Sequence, residues 1–350
     1  MPFRAFLLAL ACLPLAGCYL LGSVRGQLDL NSRRVPIATL LARPATPAPL
    51  RTWLELATRV RDFASHDLGL PDNHSYRSYA DVGRRFVVWN VFAAPEFSIE
   101  PKTWCFPVAG CVAYRGYFAE RQARQFARGL EAQGYDALVG GVAAYSTLGH
   151  FNDPVLNTML DWDGTQLAAL LFHELAHQLL YVKNDTAFNE AFATVVENEG
   201  VRRWLEAEGK EGALKAFIDR EARHAEVVTL LEETRTRLRA LYARPLPTAQ
   251  KRALKAEEFA RLRAAYRERH AQLGSGYEWL FGPDLNNAML VSVAAYEDCT
   301  PGLEAKLAAV GSDLAVFYAA ARGLARLPYA ERHAAACHAP IPAAAPPTAG

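Results

Sequence analysis

The chain has 350 residues, with 38 basic against 37 acidic side chains and 51% hydrophobic residues. Near-balanced charge without a basic run excludes an electrostatic nucleic-acid surface. The length and apolar content support a large core rather than a disordered chain, and nothing in them sets an oligomeric state.

Met1 to Arg4 is short and basic, and the apolar run Ala5 to Ala16 is far below the roughly 20 residues of a membrane span. Residues 1–17 are therefore predicted to be a signal peptide. The run ends in Leu15-Ala16-Gly17-Cys18, which resembles a bacterial lipobox; Cys18 would be diacylated, become the first mature residue and anchor a soluble domain to a membrane. The alternative is an ordinary signal peptide with an incidental cysteine. Tyr19 is not an acidic retention residue, which by resemblance to other lipoproteins implies the outer membrane, facing the periplasm.

Leu54, Leu56, Val60, Phe63 and Ala64 recur at helical spacing and predict a helix over Thr52 to Leu68. Arg85 to Phe92 is short, β-branched and aromatic, and reads as a strand. A Pro-rich, aromatic turn region carrying Cys105 and Cys111 follows. Ala119 to Leu130 is helix-like and closed by Gly134, and Ala137 to Leu148 reads as a strand whose Gly140-Gly141 pair implies a bulge or a close backbone approach. Asp163, with Gln166 three residues on, is a capping-box signal before the apolar run Leu167 to Leu180, a helix expected to be central and buried. Residues 203–273 carry Val227, Leu231, Thr234, Leu238 and Leu241, then Phe259, Leu262, Tyr266, Arg269 and Leu273, at alternating three- and four-residue spacing around a Pro245/Pro247 break. They predict an inserted antiparallel helical hairpin, within one unit spanning 18–338. The Ala/Pro-rich residues 339–350 are expected to be a disordered tail.

Of the six cysteines, Cys12 leaves with the signal and Cys18 carries the lipid, leaving Cys105, Cys111, Cys299 and Cys337 for an oxidising compartment. Three pairings are open. Proximity favours Cys105 with Cys111 and Cys299 with Cys337, and the rival, a thiolate metal site, has no C-x-x-C spacing behind it.

The chemistry concentrates in His173-Glu174-Leu175-Ala176-His177. At i and i+4 the two imidazoles share a helix face and can share a tetrahedral Zn²⁺, with Glu174 placed as general base. Two histidines and a glutamate on an otherwise apolar helix each need a partner, because uncompensated burial costs about 1–3 kcal/mol per polar group and more for a charge. One metal satisfies all three; two hydrogen-bonded core histidines are the bland alternative. A catalytic zinc needs a third protein ligand, and Glu190 in Asn189-Glu190-Ala191 is the candidate, on a second helix starting near Thr186, since Tyr181 to Thr186 contains a turn signal. Glu197 shares its face and could accept from a ligand histidine, although Glu197 and Glu199 fit a solvated helix face as well. Tyr145, His150 and Tyr296 are candidate oxyanion donors.

His173 to His177 followed by Asn189-Glu190 is similar to the gluzincin pattern of thermolysin and the membrane alanyl aminopeptidases. The twelve residues between His177 and Glu190 are fewer than in those families, which implies a shorter loop. A closer resemblance is to the bacterial family of predicted lipoprotein aminopeptidases. Tyr114 to Phe118, Ala144 to Gly149, Asp153 to Leu156, the histidine motif and Asn286-Asn287-Ala288 carry it, from Cys18 to beyond Tyr318. The resemblance implies an α+β, zincin-like metallopeptidase: a small mixed sheet, the H-E-x-x-H helix and a mainly helical C-terminal half. It also implies a substrate backbone lying along the strand through Val142, Ala144 and Ser146. In the alanyl aminopeptidases a glutamate on the corresponding strand helps to hold the substrate's α-ammonium. Residues 140–145 have no carboxylate, so Asp153 or Glu197 would have to serve, or the enzyme is an endopeptidase. A non-catalytic envelope protein stapled by a metal is the rival from another class; Glu174 argues against it, since a closed structural site has no use for a base.

Overall fold

The computed structural model describes residues 19–106, 110–297 and 299–337. The expected signal peptide, Cys18 and the tail 339–350 lie outside them. The architecture is mixed α+β, mostly helical with small sheets.

Residues 19–32 form α1, and α2 (Ile37–Ala42) leads into α3 (Ala48–His66). The last begins four residues before the expected start, because Pro47 caps it and Pro49 sits in its first turn, where no intrahelical N–H is needed. The principal sheet has β3 (Val88–Pro95) at its centre, antiparallel to β6 (Tyr114–Tyr117) and to β7 (Tyr135–Val142). The single mixed sheet expected from sequence is thus not this one. The mixed sheet is a separate, smaller one, in which β2 (Ser78–Ala80) pairs antiparallel with β1 (Arg34–Pro36) and parallel with β8 (Val155–Leu156). A hairpin of β4 (Trp104–Phe106) and β5 (Gly110–Val112) completes the strands among the described residues.

Side-chain alternation gives the principal sheet two different faces. Val91, Ala93 and Tyr117 pack on Ala123, Ala127 and Leu130 of α4 (Glu120–Glu131). Val88 and Ala94, of the opposite parity, face the other way: Val88 joins the core of α3, α5 and α6, and Ala94 joins the hairpin core. Gly140 and Gly141 stay in register with Asn90 and Trp89, so there is no bulge. Gly141 instead meets Phe86, whose ring would lie 2.4 Å from an added Cβ.

Helix α5 (Gly164–Leu179) starts on the capping box: Asp163 accepts from the Gln166 amide at 2.8 Å, and the Gln166 side chain accepts from the Asp163 amide at 3.2 Å. Leu167, Leu171, Phe172 and Leu175 are fully buried, as the all-round apolar pattern requires. Helix α6 (Thr186–Ala207) is capped by Asp185, which accepts from the Phe188 amide at 3.2 Å, and it packs on α5.

The hairpin is α7 (Glu211–Ala243) and α8 (Thr248–Leu273), so the segment from 203 to 207 belongs to α6 instead. Arg237 bonds Glu258 at 2.9 Å and Lys251 bonds the Tyr242 carbonyl at 2.8 Å, which fixes an antiparallel register. The expected seam residues are buried except Arg269, which is exposed although Tyr266 before it and Leu273 after it are buried. Helices α9 (Asn287–Glu297), α10 (Thr300–Ala309), α11 (Leu314–Ala325) and α12 (Tyr329–Ala336) close the C-terminal half. Asn287 at the head of α9 donates to the carbonyls of Pro95, Glu96 and Ser98 and accepts from Tyr242, joining sheet and hairpin. Among the described residues no helix is long and apolar enough to cross a membrane.

Candidate metal centre

One turn of α5 and the first turns of α6 bring His173, His177 and Glu190 together. His173 Nε2 lies 3.3 Å from Glu190 Oε2, His177 Nε2 lies 3.1 Å from His173 Nε2, and His177 Nε2 lies 3.5 Å from Glu190 Oε2. Two ligands bound at 2.0–2.1 Å at the tetrahedral angle are separated by about 3.3 Å, so this triangle has the edge length of one face of a zinc tetrahedron.

The turn between the helices is built to hold that triangle. Asn189, 1% exposed, accepts from the Val182 amide at 2.7 Å and donates to the Val182 carbonyl at 2.8 Å, folding the turn onto the residue next to Glu190. Asn184 takes a left-handed φ of 66° within it, a conformation asparagine tolerates better than most residues. Its side chain accepts from the Cys111 amide at 2.8 Å, so the β4–β5 hairpin rests on the turn. This is the compact connection that the short His177-to-Glu190 spacing demanded.

His173 Nδ1 lies 2.9 Å from Glu197 Oε2. An ionised carboxylate only accepts, so Nδ1 carries the proton, and in a neutral His173 the Nε2 lone pair is directed at Glu190 and His177. Three lone-pair donors facing one another repel unless a cation or a proton sits between them. Burial works against the imidazolium of His173, but Glu190 and Glu197 outweigh it and raise the pKa well above the ordinary histidine value. Burial would raise Glu190, yet His177 and His173 pull it down to about 2. His177 Nδ1 is buried without a hydrogen-bond partner.

Glu174 is half-buried beside this cluster. Tyr114 of β6, on the same sheet face as Val88, is pushed upward by burial and then by the carboxylates of Glu190 and Glu174. Tyr76, fully buried, is raised by burial and then by Glu174. The Tyr181 ring lies 6.3 Å from that of His177. Sequence reasoning did not select these tyrosines as donors: a lone tyrosine has no diagnostic spacing, and only the sheet pairing brings Tyr114 across to the helices.

Strand β7 ends at Val142, so Ala144 and Ser146 are not on a strand. Asp153 is the reason: it is 1% exposed and accepts from the Thr147 amide at 2.8 Å, the Thr147 hydroxyl at 2.7 Å and the Ser146 hydroxyl at 3.4 Å, pulling 146–153 into a loop. Its carboxylate is committed to that loop and not offered to an ammonium group. Tyr145 packs its ring 5.3 Å from Phe118, and its pKa is pushed up to about 12 by burial and then by Asp153. His150 is exposed on the same loop, and the side chain of Tyr296 lies outside the described residues. Glu199 is not solvated: it is 7% exposed and held by Arg202 at 2.7 Å and Arg203 at 2.7 Å. Cys105 is bonded to Cys111 and Cys299 to Cys337, which leaves none of these four as a thiolate ligand.

The fold and the cluster define a class: an α+β protein whose two adjoining helices converge three nitrogen and oxygen donors close enough together to hold a metal ion. The chain belongs to the family described as Putative aminopeptidase, whose model matches residues 18–336. No curated protein and no solved structure matches it.

Proposed function

We propose that the protein is a zinc-dependent peptidase of the gluzincin type, a zincin-like fold carrying H-E-x-x-H, and that it acts as an aminopeptidase. The observation that carries this reading is the triangle of His173, His177 and Glu190 donor atoms with edges of 3.1, 3.3 and 3.5 Å, backed by Glu197 on His173. Those three residues would hold the zinc, which when bound supplies Lewis-acid polarisation of the scissile carbonyl and activation of water. Glu174 takes the proton of the attacking water and passes it to the leaving amine. Tyr114, its proton held firmly by burial and by the carboxylates of Glu190 and Glu174, joins Tyr145, His150 and Tyr296 as a donor to the developing oxyanion.

The aminopeptidase half rests on the family description. One observation favours an endopeptidase with the same site: Asp153 and Glu197, the two carboxylates considered for the α-ammonium, are both engaged by the protein itself. Turnover of a free dipeptide amide against its N-acetylated twin decides. Preference for the free amine supports the aminopeptidase, and equal cleavage leaves an endopeptidase. Absence of stoichiometric zinc from the purified protein would overturn the metal reading.

We place the protein in a bacterial envelope, lipid-anchored through Cys18 in the outer membrane and facing the periplasm. The lipobox-like Leu15 to Cys18 supports this. Recovery of Cys18→Ala, signal removed, in the membrane pellet would refute the anchor.

A further inference from the structure

Helix α1, residues 19–32, has two apolar faces, and the body of the protein uses one of them. On the inner face the Tyr19 ring packs edge-on to Tyr117 at 5.3 Å beneath the Arg115 guanidinium at 3.9 Å. Gly26 comes so close to Phe118 that an added Cβ would lie 2.2 Å from its ring, and Leu30 is 1% exposed in the main core. These contacts fix the helix against β6 and its flank, so its outer face is held outward.

That outer face carries Leu20, Leu21, Val24 and Leu28, which are 54%, 71%, 56% and 63% exposed. At 3.6 residues per turn the four fall within an arc of about 100°. The other large hydrophobic residues exposed among the described residues, Phe151, Ile218, Trp279, Val316 and Tyr329, each stand on a different segment of the chain. Scattered residues need no explanation, whereas a stripe on one helix marks an interaction surface. The stripe is aliphatic, unlike the Tyr- and Trp-rich centre of a protein interface. Exposed Arg25 borders it, placed for anionic head groups. Its first leucine stands two residues after Cys18, and the stripe from Leu20 to Leu28 is only about 12 Å long at 1.5 Å per residue.

We propose that the outer face of α1 lies in the bilayer interface, as a second membrane contact beside the lipid on Cys18. This rests on the lipid-anchor reading above. With no linker between the acylated residue and the helix, an anchored chain cannot keep the stripe far from the head groups. A helix lying in the interface buries such a face to a depth of about 5–10 Å. The contact also orients the molecule. Arg115 and Tyr117 turn towards α1, whereas Tyr114, of opposite parity on the same short strand, turns towards Glu190 and Glu174. The donor cluster is therefore across the principal sheet from the membrane, placed for soluble peptides rather than bilayer-embedded chains.

The test uses the full lipidated chain in vesicles of phosphatidylethanolamine and phosphatidylglycerol. Leu21→Cys, Val24→Cys and Leu28→Cys are each labelled with an environment-sensitive fluorophore, with Ile218→Cys on α7 as the control. The expected result is blue-shifted emission, quenched by spin-labelled lipids, at the three α1 positions and water-like emission at 218. Water-like, unquenched emission at all three positions in protein that still floats with the vesicles would overturn the proposal while leaving the anchor intact. Protection of those probes in native envelopes but not in vesicles would overturn it in favour of a protein partner. Failure to float at all would remove the anchor, and this proposal with it.

Discussion

Two antiparallel helix pairs lie in this protein, and they bury different things. Between α5 and α6 the chain buries His177, Asn189 and Asp185 at 7%, 1% and 3% exposure, each beside fully buried Leu, Phe and Ala. Between α7 and α8 it buries chiefly Val227, Leu231, Leu238, Phe259 and Leu262, a leucine-rich seam. In the first pair, apolar burial offsets the cost of holding polar groups out of water, and those groups build the donor cluster, its turn and the cap of α6. In the second, the same kind of burial yields a strut, tied to the sheet by Lys255 on Asp136 at 2.6 Å and Tyr242 on Asn287 at 2.9 Å.

The largest expected effect lies in the first pair. Glu174→Gln should keep its zinc and lose about 10²–10⁴-fold in turnover, while His173→Ala, His177→Ala and Glu190→Ala should lose most of the metal as well. Elemental analysis with a peptide assay separates the two outcomes, and full occupancy in Glu190→Ala would strike it from the ligand set. Next comes Asp185→Ala, which removes the α6 cap and leaves Arg332 buried without its 2.6 Å partner. A loss of about 3–5 kcal/mol is expected on thermal or denaturant unfolding.

In the second pair, Leu238→Ala should cost about 2–5 kcal/mol in urea unfolding with metal per folded molecule unchanged. Metal loss there would break the contrast between the pairs. Glu197→Gln should do the reverse, lowering zinc affinity about 10–100-fold with the unfolding midpoint of the metal-free protein little altered. The smallest effect concerns acid. Burial would raise Glu199, but Arg202 and Arg203 hold it below its ordinary value. Its contribution is therefore present above the unfolded carboxyl value of about 4.3 and lost as pH falls through the lower folded value. Glu199→Gln should lower stability slightly at neutral pH, flatten the acid limb measured below about pH 4.3, and converge with the unsubstituted protein at low pH.

The two pairs also differ in what their sequences disclose. The hairpin announces itself by periodicity alone, α5 by its capping box of Asp163 and Gln166, and α6 only by the turn signal in Tyr181 to Thr186. Glu197 was legible because seven residues from Glu190 is two turns of one helix face. The end of β7 was not: alternation runs on past Val142, and only the distant Asp153 carboxylate folds the following residues into a loop. Glu199 looked like a solvated residue because its two arginine partners are ordinary neighbours on the same helix. Tyr114 stayed hidden because its place at the centre depends on strand pairing, which a single residue does not advertise.

The cap of α6 has a consequence in time as well as in space. The Asp185 carboxylate is met by Arg332 at 2.6 Å and His333 at 2.8 Å, partners 147 and 148 residues further along the chain. A ribosome delivers α5 and α6 long before it delivers these partners. Until they arrive, the carboxylate at the head of the Glu190 helix lacks these two partners, and burying it without them would be costly. The head of the Glu190 helix is thus completed from the far end of the chain, so a polypeptide still on the ribosome lacks the two partners that close it.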